Sequence, residues 1–267
     1  MTATTVLLRR TVRFCLGVET RSGVGSGFGG LAAPRGLPAY FELDVSVRGA
    51  PDPVTGYLVG IGEIDAAVRR EIVPWLEVRW RDDHGSLDPR SLLPTVWTRL
   101  AAAIPAPLAA IEWRLTPFHA ISISGGPSMT DPQRVPVLLR QRFEFCAAHR
   151  LHAPDLDDAA NQALFGKCNY PSGHGHNYRV ETAVAVPPSG GPSMEVIEGI
   201  VGREVIERWD HRHLNLDLPE FRTLNPSVEN IAKVAHDRLA SPIAAAGGEL
   251  RQVTVWETDK TCCSYPA

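Results

Sequence analysis

His174 and His176 stand one residue apart in the segment GKCNYPSGHGHNY, which runs from Gly166 to Tyr178. On a strand, side chains at i and i+2 leave the same face, so both imidazoles converge on one side. His149 ends an earlier strand-like run, FEFCAAHR from Phe143 to Arg150. If the two strands are neighbours, a third imidazole reaches the same point. Three neutral imidazoles around one open position make the ligand set of a catalytic zinc site. Gly175, between the paired histidines, leaves room for close backbone approach. His-Gly-His alone fits a surface loop as well as a metal; His149 and the next residue tip the reading towards the metal.

That residue is Cys168, six positions before His174 and directly after Lys167. Asn169 to Gly173 reads as a turn that returns the sulfur towards the histidines. Neighbouring positive charge raises the thiolate fraction of a cysteine. Two roles remain open on this ground: a fourth ligand that closes a structural site, or a base beside an open one.

Such residues need a scaffold, and the pattern of elements repeats. Arg13-Phe14-Cys15 opens one series and Glu144-Phe145-Cys146 a second. Alternating, β-branched runs follow, Tyr40 to Val47 and Tyr178 to Val186, as expected of half-buried strands. Helix-like runs come next, Glu63 to Leu76 and Ile197 to Trp209. Each is followed by an Asp-His pair, Asp83-His84 or Asp210-His211, with Leu87 or Leu214 three residues on. A second helix ends in Arg99-Leu100 or Arg238-Leu239, and a strand closes each series, Ile111 to Leu115 or Val253 to Glu257. The expected class is α+β, two tandem modules. Residues 124–137, SGGPSMTDPQRVPV, hold three prolines and two glycines and read as the linker between residues 1–123 and 138–267.

Composition narrows the function. The chain has 267 residues, a net charge of -3 and 44% apolar residues, which suits a globular protein with a full core. The acidic balance argues against a nucleic-acid partner. No window approaches the roughly 18 apolar residues of a membrane span. Met1 to Val12 has two arginines and no apolar signal core, so a cytoplasmic location is expected. The five cysteines are then reduced thiols. The glycine-rich run Ser22 to Gly36 lacks the Gly-Lys-Ser/Thr ending of a phosphate loop and reads as a plain loop.

The ordered motifs F-C-A-A-H-R-L (from Phe145), G-K-C-N-x-x-x-G-H-G-H-N-Y (from Gly166), D-H-x-x-L-N (from Asp210), P-S-x-E-N (from Pro226) and E-T (Glu257-Thr258) resemble the 6-pyruvoyl-tetrahydropterin synthase family. The resemblance covers Leu138 to Ala267. It implies the tunnelling fold: antiparallel four-stranded sheets with two helices on one face, joined into a barrel by oligomerisation. It implies that His149, His174 and His176 hold Zn2+, and that Cys168 removes a proton from the substrate. Asp210 and His211 would be its relay, and Glu257 would anchor the pterin ring. Each role is chemically apt. A carboxylate accepts two N–H groups from an amidine-like edge, and an Asp-His pair fixes the tautomer of a histidine that passes protons. Without the resemblance, Asp210-His211 reads as a helix-terminal cap and Glu257 as an exposed strand charge. Glu229 is either a pterin contact or an acidic group at a helix start.

The implied reaction is a lyase step of tetrahydrobiopterin biosynthesis. It converts 7,8-dihydroneopterin triphosphate to 6-pyruvoyl-tetrahydropterin with loss of triphosphate. The alternative product is that of 6-carboxytetrahydropterin synthase in the queuosine and deazapurine pathway; Asn169 and the six-residue spacing look more like the pyruvoyl branch. A non-catalytic, zinc-stabilised scaffold is the alternative from another class. The first half departs from the family. Val18 falls at the place of His149, Gly36 to Ala39 carries neither His-Gly-His nor cysteine, and Leu115 stands for Glu257. A degenerate copy without metal is expected there, replacing one subunit of a homo-oligomer whose simplest form is a trimer of chains. Unpaired sheet edges would drive that association. In it, Asp210-His211 is favoured over Asp83-His84 as the relay.

Overall fold

A computed structural model describes residues 5–17, 39–125, 129 and 131–267. The glycine-rich run, Val18 and Gly36 to Pro38 lie outside the described residues, as does part of the expected linker. The chain divides into two compact units: Met1–Leu138 with Pro187–Gly190, and Leu139–Val186 with Gly191–Ala267.

In the first unit β1 (Val6–Leu16), β2 (Ala39–Gly49), β3 (Leu108–Thr116) and β4 (His119–Ser124) pair antiparallel in that order. Alternation sets the faces. Val12, Phe14 and Leu16 are buried with Leu43, Val45, Ile111 and Trp113, while the residues between them carry the charges. Among those charges is Asp44, buried between Thr11 and the Arg114 guanidinium. Two helical stretches lie on the apolar face. The first runs through Ile61–Ala67, a π-helical turn Val68–Ile72, and Val73–Asp82. The second is Pro89–Ala103, capped by the Asp88 carboxylate on Arg90 N. Ile64, Val68, Ile72, Leu76, Leu93, Val96 and Leu100 are among their fully buried residues.

In the second unit β5 (Val137–His149), β6 (His174–Val186), β8 (Glu249–Thr258) and β9 (Thr261–Tyr265) are successive neighbours. Val180 faces Val255, and Val255 faces Cys263. A two-residue strand, β7 (Arg212–His213), adds in parallel to Ala147 and Ala148 of β5. The helical stretch Met194–Val201, Gly202–Ile206 and Glu207–Trp209 again has a π-helical middle. It starts at Ser193, whose side chain accepts from Val196 N. The long helix Val228–Ala245 starts at Ser227, follows Pro226, and packs on β8 and β9.

The expected strands and helices are all present, with longer ends. Two features were not placed from sequence. A short hairpin adds a further strand, β4 or β9, to each unit. A helix, Asp158–Phe165, fills the stretch between His149 and Cys168 and is capped by Asp157 on Ala160 N at 2.7 Å.

The π-helical stretch ends in Trp209, which is fully buried and meets Phe145 and Phe221 edge-on at 5.8 Å. Phe145 in turn stacks on Tyr178 at 5.0 Å. Trp209→Ala should therefore cost about 3–5 kcal/mol by opening a large cavity. A fall in the urea midpoint at unchanged slope would register it.

Candidate metal centre and active site

β5 and β6 carry His149, His174 and His176 towards the same place, as the i, i+2 spacing requires. His149 is wholly buried. Its Nε2 lies 3.1 Å from His174 Nε2 and 3.2 Å from a Glu257 carboxylate oxygen. His176 Nε2 is 3.5 Å from that oxygen. One ligand atom from each of the four residues falls within 4.8 Å of all the others. Among the described residues this is the one such group.

The donor set fits a cation. His149 Nδ1 lies 2.7 Å from the Pro226 carbonyl, which can only accept. The proton is therefore on Nδ1, and the Nε2 lone pair faces inward, the usual second-shell arrangement of a metal-bound histidine. His174 Nδ1 and His176 Nε2 are buried without a hydrogen-bond partner among the described residues. Buried polar atoms without partners are uncommon in folded proteins. A cation between the rings would take the inward lone pairs, the His176 one included.

Electrostatics prepares the same state. Burial pushes His174 and His176 below the ordinary imidazole value, helped by the charges of their neighbours and opposed by Glu257. The His149 ring beside it holds Glu257 below the usual carboxylate range, against its own desolvation. Neutral imidazoles beside an ionised carboxylate are the protonation states that metal binding needs.

Gly173 explains how the chain enters β6. Its φ is +73°, and a Cβ there would lie 2.7 Å from His213 Nε2 and 2.8 Å from the His149 carbonyl oxygen. Only glycine fits that turn.

Cys168 sits on a single 3-10 turn, Gly166–Asn169, and its carbonyl accepts from Leu151 N at 2.9 Å. Its sulfur is not one of the four clustered ligand atoms. Tyr178 lies between the two chemistries. It is fully buried, lies edge-on to His149 and His176, and its hydroxyl has no partner among the described residues. Burial raises its pKa, and the charges of Glu257 and Cys168 add to the rise. Sequence reasoning treated Tyr178 only as the start of a strand. Its spacing of two from His176 was the available signal, because it puts the ring on the metal face.

The Asp210-His211 pair is built as a unit. One Asp210 oxygen accepts from Cys146 N at 2.8 Å, and the other lies 2.8 Å from His211 Nδ1. The Cys146 backbone hydrogen bond and the His211 contact lower the Asp210 pKa. His211 has φ +57° and projects its ring into solvent, with its side chain 81% exposed. His84 has φ +51° and is exposed, but among the described residues its ring forms no ion pair with Asp83. Glu229 follows the Ser227 cap in the first helical turn, where a negative charge meets the positive end of the helix.

Residues 138–267 match the family model described as 6-pyruvoyl tetrahydropterin synthase. The 6-pyruvoyl tetrahydrobiopterin synthase of Homo sapiens is 34% identical over 137 residues, covering 50% of this chain and 93% of that protein. The chain belongs to the 6-pyruvoyl tetrahydropterin synthase family. A putative 6-pyruvoyl tetrahydrobiopterin synthase of Caenorhabditis elegans is 36% identical over 138 residues, covering 49% of this chain and 96% of that one. A solved 6-pyruvoyl tetrahydropterin synthase structure from the same species is 33% identical, covers 51% of this chain and 98% of its own, and has a TM-score of 0.47. All the clustered residues, Cys168 and the Asp210-His211 pair lie inside the matched segment. No helix among the described residues is long and apolar enough to cross a membrane.

The depressed histidines predict a pH dependence for the metal-free chain. Below the ordinary imidazole value of about 6.5, the unfolded chain binds protons that folded His174 and His176 resist. Their contribution is fully present above that value and is lost as the pH falls towards their lower folded values. Urea midpoints measured from pH 7.5 down to 5 should fall, and the fall should flatten when both histidines are replaced by alanine.

Proposed function

We propose that the C-terminal unit converts 7,8-dihydroneopterin triphosphate to 6-pyruvoyl-tetrahydropterin with elimination of triphosphate, using zinc at His149, His174 and His176. Family membership makes the chain an enzyme of the lyase type. The observation that carries the reading is the four-atom ligand group held beside the turn that bears Cys168. Zinc, when bound, supplies Lewis-acid polarisation of a substrate oxygen, which acidifies the adjacent C–H. Cys168 lies outside the ligand group, which favours the base over the fourth-ligand role. As thiolate it takes the proton from that C–H. His211, held by Asp210 in one tautomer, passes protons to and from the side chain of the substrate. Its solvent-facing ring suits a group that completes a site from a neighbouring chain of a homo-oligomer. The Glu257 carboxylate accepts the N–H groups of the pterin edge. Its position within 4.8 Å of the three histidine ligand atoms puts a negative charge beside the place where zinc would be held.

The first unit is a degenerate copy of the second in this reading, giving two tandem modules of the tunnelling fold. The support is a set of matched irregularities. The β2–β3 register shifts at Ser46/Val47, four residues after the Glu42–Arg114 pair, and the β6–β8 register shifts at Ala183/Val184, four residues after Arg179–Trp256. The hairpin registers shift at Arg114/Thr116 and Trp256/Thr258. Both units have a π-helical turn, which is rare, and a histidine with positive φ after an aspartate. Leu115 and Ala39 occupy the places of Glu257 and His176 in this correspondence, so the copy lacks those ligands.

Incubation with 7,8-dihydroneopterin triphosphate, followed by mass spectrometry of the products, tests the function directly; a 6-carboxy product, or none, would overturn it. Metal analysis should give one zinc per chain. Cys168→Ala should abolish turnover and retain zinc, because three imidazoles suffice to hold it; loss of both would make Cys168 a ligand.

His211→Ala should lower kcat on the order of 100-fold, while His84→Ala leaves it near the parent value. A large loss in the His84 variant alone would move the relay to the first unit.

A further inference from the structure

A cavity of about 200 Å3 opens in the C-terminal unit, lined by groups that the metal cluster leaves unused. Arg150, His152, His213, Asn215, Arg222 and Asn225 contribute to its wall, and no carboxylate is among the lining residues. Pro154, Pro171, Leu216, Phe221 and Leu224 also line the wall, so its positive and hydrogen-bond-donating groups have no counter-charge within it.

The wall is built, not incidental. The Asn215 amide brackets the Arg150 main chain, accepting from its N–H at 2.8 Å and donating to its carbonyl at 3.0 Å. Asn225 accepts from His152 N at 3.1 Å. Buried Asn169 uses one side-chain oxygen for both Arg150 Nε and His152 Nδ1, at 3.1 and 3.0 Å. With Nε spent inward, the guanidinium plane of Arg150 is set. Its two terminal nitrogens have no acceptor among the described residues. The Arg222 side chain likewise has no bonded partner there and is exposed. His213 Nδ1 is buried with no hydrogen-bond partner among the described residues.

The geometry points to a phosphate-binding pocket: a phosphoryl oxyanion bridges Arg150 and Arg222 and accepts from the His213 ring. The planar fork of a guanidinium matches phosphate oxygens two at a time. The volume is roughly seven times that of a water in the liquid, and it lies under the roughly 300 Å3 at which drug-sized ligand pockets begin. A small anion suits it and a whole pterin does not. The pocket also adjoins the candidate centre along the chain. Arg150 follows His149, Asn169 follows Cys168, and Asn225 precedes Pro226, whose carbonyl orients His149. Two sources of phosphate share this chemistry: the triphosphate tail of the proposed substrate, and free inorganic phosphate. The first alone rests on the function proposed above.

The test is a calorimetric titration of the zinc-loaded full chain with inorganic phosphate, using the parent and Arg222→Gln. Arg222 is exposed and unbonded, so its variant should keep the parent melting midpoint. Saturable binding that weakens at least about tenfold in Arg222→Gln, as loss of a charge-assisted contact implies, supports the pocket. No saturable binding, or the same affinity in both proteins, overturns it; the second result would place phosphate at the metal instead. Steady-state kinetics separates the sources. A raised KM for dihydroneopterin triphosphate in Arg222→Gln assigns the pocket to the substrate tail, and an unchanged KM assigns it to free phosphate. A parent enzyme inert towards that substrate would remove the proposed function and leave the phosphate titration standing.

Discussion

The hydrogen bond from His149 Nδ1 to the Pro226 carbonyl is the contact on which the candidate centre depends. It joins the last residue of β5 to the residue before the Ser227 cap of the long helix. A wholly buried imidazole with an unpaired Nδ1–H would cost on the order of 1–3 kcal/mol. The carbonyl of a proline residue is an acceptor already free at the start of a helix, because the helix uses its own carbonyls only from the cap onward. The bond also decides chemistry. It fixes the tautomer, so the Nε2 lone pair has one direction to face, and His174, His176 and Glu257 gather around that direction. The metal position is thus set by backbone geometry on three sides: the end of β5, the start of β6 and the start of a helix.

Much of this was legible in the amino-acid order, because the informative spacings are short. His174 and His176 on one face follow from the period of a strand alone, and His149 at a strand end follows from the alternation of Phe145, Ala147 and His149. The pairing of β5 with β6, on which convergence depends, is a contact between residues 25 apart; spacing left it conditional, and only the family resemblance implied it. What sequence reasoning did not supply are the features fixed by packing. Tyr178 looks like any aromatic strand residue until its burial beside two histidines leaves its hydroxyl without a partner. The Glu257 position in the ligand group depends on the β6–β8 register, in which Arg179 faces Trp256. The Asp158–Phe165 helix is only eight residues long, so it is visible mainly through its Asp157 cap.

Cys168 lies outside the four clustered ligand atoms, and its backbone explains how it is kept there. The turn carrying it is tied down on the outside. Its own carbonyl holds Leu151 N, and the following Asn169 is buried between Arg150 and His152. These bonds fix the backbone of the turn before any ligand arrives. A thiol closing the tetrahedron would produce a saturated, structural centre, so a restrained turn favours chemistry over mere stability.

The two units share backbone irregularities and differ in side-chain chemistry, and the difference has a physical pattern. Backbone irregularities are matched: strand-register slips, π-helical turns, and a histidine with positive φ after an aspartate. Such features need compensating packing around them, and a β-branched or bulky residue at a left-handed position is strained. They persist where the surrounding core over-determines them. Side-chain chemistry has no such protection. On the proposed correspondence, Leu115 and Ala39 at the places of a carboxylate and an imidazole leave no polar side chain in need of a partner. The Asp-His pair lies between these cases. Its backbone is matched in both units, but the carboxylate bridge to the neighbouring strand is made only by Asp210 among the described residues. That bridge spends one Asp210 oxygen on Cys146 N and leaves the other for His211, so the orientation of the relay imidazole is inherited from the edge of β5. On the proposed function, an imidazole held this way reaches a neighbouring chain's site already oriented, and a proton transfer whose donor and acceptor must meet within a hydrogen-bond length needs that orientation.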